Sequence, residues 1–263
     1  MGVFPSLADL VLPRTCAGCG VPGRSLCPRC AVLLTVPRLA QPRRFPEGLP
    51  PTVAAGAYAG AVRPVVNAFK EHGRAELARP LGVALALAVA AVRTGVPGPA
   101  RPVVLVPVPG SRAALAARGR DHVRELTVRA VAELRAQGVA AEQRRLLRRR
   151  GRVRDSAGLT AVQRRANLAG TFVGEHPDGR LPAGALLVLV DDVVTTGATL
   201  CAAAEALAGG AAGGAPPVLA AVVAATPRPL PGTSGRATGS HGYRVRNVPQ
   251  LHHDRLSGPG RSD

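Results

Sequence analysis

Short apolar runs bounded by glycine or proline alternate along this chain with segments whose apolar positions recur at helical spacing, and that alternation limits the fold more than any other sequence feature. The runs at 53–58, 103–108, 186–190 and 218–225 read as strands, and those at 62–69, 77–92, 113–134 and 198–207 as helices. Strands that are apolar almost throughout must be covered on both faces, which crossover helices between parallel neighbours achieve. The expectation is an α/β domain with a parallel sheet over residues 52–226, any ligand lying beyond the carboxyl ends of its strands. The chain has 263 residues, 46% apolar but only 2% aromatic, so Ala, Val and Leu must build the core.

Basic residues outnumber acidic ones 34 to 16, giving a formal charge of +18. With 33 Arg and one Lys, the usage resembles GC-rich coding bias, which explains Arg over Lys but not the excess of cations. That excess favours polyanionic ligands, nucleic acid or phosphorylated metabolites. The opening MGVFPSLADLVLPRT lacks the basic start and long apolar core of a secretory signal, and the run 81–92 is 12 residues long, short of the roughly 20 a membrane span needs. A cytoplasmic protein without a membrane span is expected. Beyond Thr226 the chain is polar, basic and rich in Gly and Pro, so 227–263 reads as a disordered tail, and its adjacent His252 and His253 as no metal site.

Four of the five cysteines form Cys16-Ala-Gly-Cys19 and Cys27-Pro-Arg-Cys30, two C-x-x-C knuckles separated by seven residues. Paired knuckles bring four thiolates around one tetrahedral ion, so structural zinc is the leading reading for residues 1–51. Disulfides compete with it but fit poorly without an export signal, and a redox C-x-x-C lacks its usual surroundings. Four sulfur ligands leave no open position for catalysis. Residues 35–51, with Pro37, Pro42, Pro46, Pro50 and Pro51, read as a linker, and Cys201 as a small buried apolar residue.

The stretch LVLVDDVVTTGATL, 187–200, sets Asp191 and Asp192 at the end of an apolar strand. Neighbouring strand residues point to opposite faces, so both acids serve one ligand only if the backbone turns there. Thr195, Thr196, Gly197, Ala198 and Thr199 supply the turn and open a helix, whose free N–H groups, glycine and hydroxyls make a cradle for one phosphate. Two carboxylates beside it suit a cis-diol, and together these describe a ribose 5-phosphate. An N-cap with helix-dipole acids would explain only one acid and one hydroxyl. A Walker-B strand would need a P-loop elsewhere, which the chain lacks, and a magnesium site on the acids alone leaves the threonines unexplained.

This stretch closely resembles the signature of phosphoribosyltransferases that bind phosphoribosyl pyrophosphate (PRPP). The resemblance implies that Asp191 and Asp192 hold the ribose hydroxyls, that residues 195–199 hold the 5-phosphate, and that Mg accompanies PRPP. It also implies pyrophosphate binding by the turn after the first core strand, at Val108, Pro109, Gly110, Ser111 and Arg112, which otherwise reads as an ordinary strand-to-helix turn. The order of zinc knuckles, AYAGAVRPVVNAFKEHGR, VLVPVPGSRAALAARGRDH, RRGRVRDSAGLTAVQRRANLAGTF and DDVVTTGAT resembles the ComF family, which couples a zinc ribbon to a phosphoribosyltransferase domain. The family's usual R-G-F-N-Q is Arg118-Gly119-Arg120-Asp121-His122 here, its Gln near Asp155 is missing, and Arg165 and Asn167 match. The resemblance implies PRPP binding and an accessory role in DNA uptake or nucleic-acid handling, with single-stranded DNA or an uptake protein as partner. The alternative is an active transferase moving ribose 5-phosphate from PRPP to a nucleobase or amine. Thr195 stands where several purine-type relatives carry an acid, which disfavours purine chemistry needing a base there.

Seven arginines lie between 144 and 154. Among them Arg148, Arg149, Arg150, Arg152 and Arg154 suit a lid that neutralises departing pyrophosphate or a track for a nucleic-acid backbone, against the plainer reading of a solvated face. No aromatic platform interleaves them. Lys70, in NAFKEHGR, is the one lysine kept, and a phosphate contact needing a compact ammonium is one reason to keep it.

Overall fold

The computed structural model describes residues 14–40, 48–150, 170–175, 181–209 and 218–228. The sequence expectations for the tail 227–263 fall outside these residues apart from 227 and 228, as do Arg152, Arg154, Asp155, Arg165 and Asn167.

The apolar runs do become parallel strands. β2 (Thr52–Ala57), β3 (Val103–Pro107), β4 (Ala141–Gln143), β7 (Leu186–Val194) and β8 (Val218–Ala225) pair parallel in one sheet, with β1 (Arg38–Leu39) antiparallel on its edge, in the order β1-β2-β8-β7-β3-β4. β1 falls within the stretch read as a linker, 35–51, so part of that stretch is sheet. A second, two-stranded ribbon pairs β5 (Leu147–Arg149) with β6 (Phe172–Gly174).

Alternation along the central strand explains why its sequence is continuously apolar. Leu186, Val188 and Val190 join one core, with Leu81, Leu85 and Val89 of helix α3 (Ala78–Thr94) and Leu126 and Val131 of α5 (His122–Ala136). Leu187 and Leu189 face the other core, with Leu200 of α6 (Ala198–Gly209) and Leu146, Leu147 and Phe172 of the small ribbon. Helices thus lie on both faces, as buried parallel strands require.

Two further helices complete this half: α1 (Pro28–Ala31) in the cysteine module and α2 (Val62–Lys70) after β2. The long helix expected at 113–134 is two, α4 (Arg112–Arg118) and α5. Gly119 ends α4 at φ 64° and Asp121 caps α5 by accepting the Arg124 N–H at 3.0 Å. A left-handed glycine followed by an Asp cap terminates one helix and starts another at little cost.

Ala75–Thr94 has the length and mean hydropathy, 1.7, of a membrane span, more than its 12-residue apolar run suggested, and its apolar face is spent on the core just described. α3 meets α5 closely at Gly82, where an added Cβ would lie 2.3 Å from Arg129 Cβ. Gly82→Ala is expected to destabilise by about 1–3 kcal/mol through forced separation of the two helices. Gly209→Ala, where a Cβ meets nothing, is the control, and thermal denaturation of both variants checks it.

Candidate functional site

The cysteine module brings four thiols to positions that fit one metal ion. The Sγ atoms of Cys16, Cys19, Cys27 and Cys30 all lie within 4.8 Å of one another, and Cys19 and Cys27 are 3.6 Å apart. Tetrahedral Zn–S bonds require sulfurs about 3.8 Å apart, so this set fits zinc. Pro28 opens α1 directly after Cys27, whose own N–H donates to Cys16 Sγ at 3.3 Å. Burial would raise the Cys16 thiol, but the N–H groups of Cys27, Cys19 and Gly18 outweigh it and bring the thiol down to about 6. Burial and the surrounding sulfurs push Cys30 well up. Four thiolates this close require a cation to coexist, which a dication supplies.

The module is locked to the sheet rather than tethered. A Cβ on Gly18 would meet Cys30 Sγ at 2.8 Å and the Ala61 carbonyl at 3.1 Å, and one on Gly56 of β2 would meet the Leu33 carbonyl at 2.7 Å. Leu34 joins the main core, with Ala17 and Leu26 packed against it.

The second centre lies at the carboxyl edge of the sheet. From β3 the chain winds through α5 to β4 on one side, whereas from β7 it winds through α6 to β8 on the other. The winding therefore reverses between β3 and β7, where an open α/β sheet leaves a crevice for ligand. Two turns flank it. The turn 108–112 follows β3 and is tied to β7 by the Val108 N–H donating to the Val190 carbonyl at 2.9 Å. There Ser111 caps α4 by accepting the Ala114 N–H at 3.1 Å. The loop 195–199 follows β7, with Gly197 at φ 80° and Thr196 Oγ1 accepting from the Ala198 N–H at 3.4 Å, at the start of α6.

The strand does not stop before the acids as the sequence pattern suggested: β7 runs through Asp191 and Asp192 to Val194. The two carboxylates accordingly part. Asp192 is 3% exposed, and its Oδ2 accepts from Lys70 Nζ at 2.8 Å and from His122 Nε2 at 3.0 Å, while Oδ1 accepts from the Val193 N–H at 2.7 Å. Asp191, half-buried, uses Oδ1 to accept the Asp192 N–H at 2.8 Å.

Their acidities diverge for physical reasons. Burial, then the charge of Asp192, raises Asp191 far above the ordinary carboxylate range. Burial also acts on Asp192, but the hydrogen bond from His122 and the Lys70 ammonium overcome it and hold that carboxyl well below the range. Burial opposes the charge on Lys70, and Asp192 more than restores it, leaving the ammonium above its usual value.

Lys70 is the last residue of α2, and its ammonium ends on Asp192. Glu71 beside it takes both arms of Arg118 at 2.9 Å, a bond that holds the Glu71 carboxyl below its ordinary value. Arg120 pairs with Glu125, donates to the Phe69 carbonyl at 3.2 Å and stacks over the Phe69 ring at 4.2 Å. The segment 118–122 thus buttresses the end of α2, and His122 from it reaches Asp192. Sequence reasoning marked this segment as a departure but did not assign His122 to the site.

Among the arginines, Arg148 is paired with Glu175 at 2.8 Å and Arg150 is exposed. Arg149 lies over Phe172, with its Nε buried and without a hydrogen-bond partner among the described residues. Burial lowers the pKa of Arg149 while the charge of Asp191 opposes that. A depression of about 270 Å³ lined by Arg93, Arg101 and Leu186 lies at the opposite, amino end of β7, away from the acids.

The protein is therefore of the α/β class, with a mostly parallel six-stranded sheet and an N-terminal four-cysteine cluster that fits structural zinc. Comparison with protein-family models and with curated proteins finds no match for the chain.

Proposed function

We propose that this chain binds PRPP at the carboxyl edge of β7 and acts as a ComF-type, phosphoribosyltransferase-like accessory factor in nucleic-acid handling, in the cytoplasm. The observation that carries the reading is the convergence of the turn 108–112, the loop 195–199 and the half-buried Asp191 on the point where the sheet's winding reverses.

In this reading the N–H groups of 196–199 and the threonine hydroxyls hold the 5-phosphate, Gly197 letting it approach the backbone. Asp191 accepts from a ribose hydroxyl. The turn 108–112 faces the diphosphate, and Mg arrives with that group as its counter-ion. Arg149 supplies a cation on the ribbon side of Asp191, and single-stranded DNA or an uptake protein is the partner for the arginine-rich segment.

An active transferase is the second reading, favoured by the β5–β6 ribbon, which holds the two ends of the arginine-bearing segment together as the base of a lid would. Calorimetry with Mg-PRPP, alone and with a single-stranded oligonucleotide, followed by a pyrophosphate-release screen over nucleobases, separates the two. Binding without release is expected; release with one base would establish the transferase, and no binding would remove both readings.

A further inference from the structure

The cysteine module and the buried acid Asp192 are joined by one helix. α2 is nine residues long, too short to be stable alone, and no side chain caps its N-terminus at Ala61. Its position is therefore set by what it packs against. Val62, Val65, Val66 and Phe69 enter the main core, and Ala17 and Leu26 of the module pack against that same cluster. At the start of α2, Gly18 lies between the metal centre and the helix. A Cβ there would meet Cys30 Sγ at 2.8 Å, and the Ala61 carbonyl and Cβ at 3.1 and 3.2 Å. Beyond the other end the chain turns back, the Arg74 N–H donating to the Ala68 carbonyl at 3.1 Å. The Arg74 guanidinium then donates to the carbonyl of Thr15, next to Cys16, at 2.9 Å. One knuckle, residues 15–18, thus touches the chain at both ends of α2.

The same helix delivers the cation that Asp192 pairs with: Lys70, its last residue, donates to Asp192 Oδ2 at 2.8 Å. We infer that zinc binding and the Lys70–Asp192 contact are linked through α2, so that the metal-loaded module is the state in which the carboxyl edge of β7 is assembled, and loss of the metal disassembles it. The inference concerns the ion pair itself and stands whether or not the carboxyl edge takes PRPP.

Geometry makes the link steep. A shift of about 1 Å takes a contact of 2.8 Å out of hydrogen-bond range. Asp192 cannot follow a retreating helix, because β7 pairs with β8 on both sides of it, at Asp191 and Val193. Its carboxylate is also held by His122 at 3.0 Å and by the Val193 N–H at 2.7 Å. In the module, the four thiols lie within 4.8 Å of one another, and without a cation nothing offsets the mutual repulsion of the thiolates. The first knuckle then relaxes, and Gly18 and the Thr15 carbonyl move with it. Linkage is reciprocal, so whatever the metal contributes to the contact, the contact contributes to metal affinity. A module that merely sat beside the sheet would show neither effect.

Lys70 is the only lysine in the chain, so it supplies a single-site probe. In the full zinc-loaded chain labelled with ¹³C-lysine, a chelator is applied well below the melting transition. The Lys70 Cε–Hε correlation is expected to move towards its position in Asp192→Asn. Asp192→Asn and Lys70→Met, competed for zinc against a chromophoric chelator, are expected to bind it at least about 5-fold more weakly than the parent chain. Gly82→Ala, which forces α3 and α5 apart instead, controls for general destabilisation and is expected to bind zinc as the parent does. Where the zinc-free chain loses its fold, Gly18→Ala decides. It keeps all four thiols, presses a methyl on Cys30 and Ala61 at once, and is expected both to weaken zinc binding and to move the Lys70 signal. A Lys70 signal unmoved by metal removal in a folded chain, or unmoved in Gly18→Ala while zinc binding falls, overturns the inference. Zinc bound by Asp192→Asn as tightly as by the parent, or by Gly82→Ala as weakly as by Asp192→Asn, overturns it as well.

Discussion

Replacing Cys16 or Cys30 by serine, or stripping the metal with a chelator, is expected to lower the melting temperature of the whole chain by more than about 10 °C. An independent zinc finger on a linker would unfold alone and leave the sheet untouched. Here Leu34 is part of the main core, Ala17 and Leu26 pack against it, and the Leu33 carbonyl sits in the space a side chain on Gly56 of β2 would need. Losing the metal therefore opens a wedge into the edge of the sheet. Zinc binding contributes about 10–16 kcal/mol in isolated fingers, and for a domain of this size each kcal/mol moves the transition by about 2–4 °C. Even half of that energy reaches the predicted fall. Elemental analysis should give one zinc per chain. Near-zero zinc together with unchanged melting would remove the ribbon.

The second large effect is a sign difference between adjacent carboxylates. Asp192→Asn is expected to cost about 3–5 kcal/mol, because it leaves Lys70 and His122 without the charge they surround. Asp191→Asn is expected to stabilise the ligand-free protein by at least about 1 kcal/mol at neutral pH. The raised pKa of Asp191 means that the folded state disfavours its charged form, so its contribution declines as pH rises from about 4 towards the raised value, and a neutral amide removes that loss. The depressed pKa of Asp192 works the other way: its contribution is present above the ordinary carboxylate range and disappears only as pH falls through the lowered value. Thermal melts of both variants between pH 4 and 8 check this. The same Asp191→Asn change should abolish PRPP binding, the stability that a functional group gives up for its ligand. Equal destabilisation by the two substitutions would contradict the division of roles.

The sheet was legible because its strands are buried on both faces, which leaves long Val, Leu and Ala runs that only a covered parallel strand tolerates. β8 was read at its observed bounds for that reason. β1, β4, β5 and β6 were not, since two or three residues with polar neighbours carry no periodicity. The α4–α5 break is written in the sequence as Gly119 and Asp121, but the apolar spacing continues across it and hides it. The cysteine cluster could be read outright, because ligand spacing is local. The ion pair at Asp192 could not. It joins residues 70, 122 and 192, which only the crossovers around β3 and β7 bring together, and the sequence offered just two oblique signs of it: a lone lysine and an unusual His122.

The most direct measurement is a crystal structure of the full chain with Mg and PRPP. The predicted result is the 5-phosphate against the backbone N–H groups of 196–199, a ribose hydroxyl on Asp191, and Asp192 still held by His122. Diphosphate and sugar held by the arginines of 144–150, with the 195–199 loop and Asp191 untouched, would contradict it.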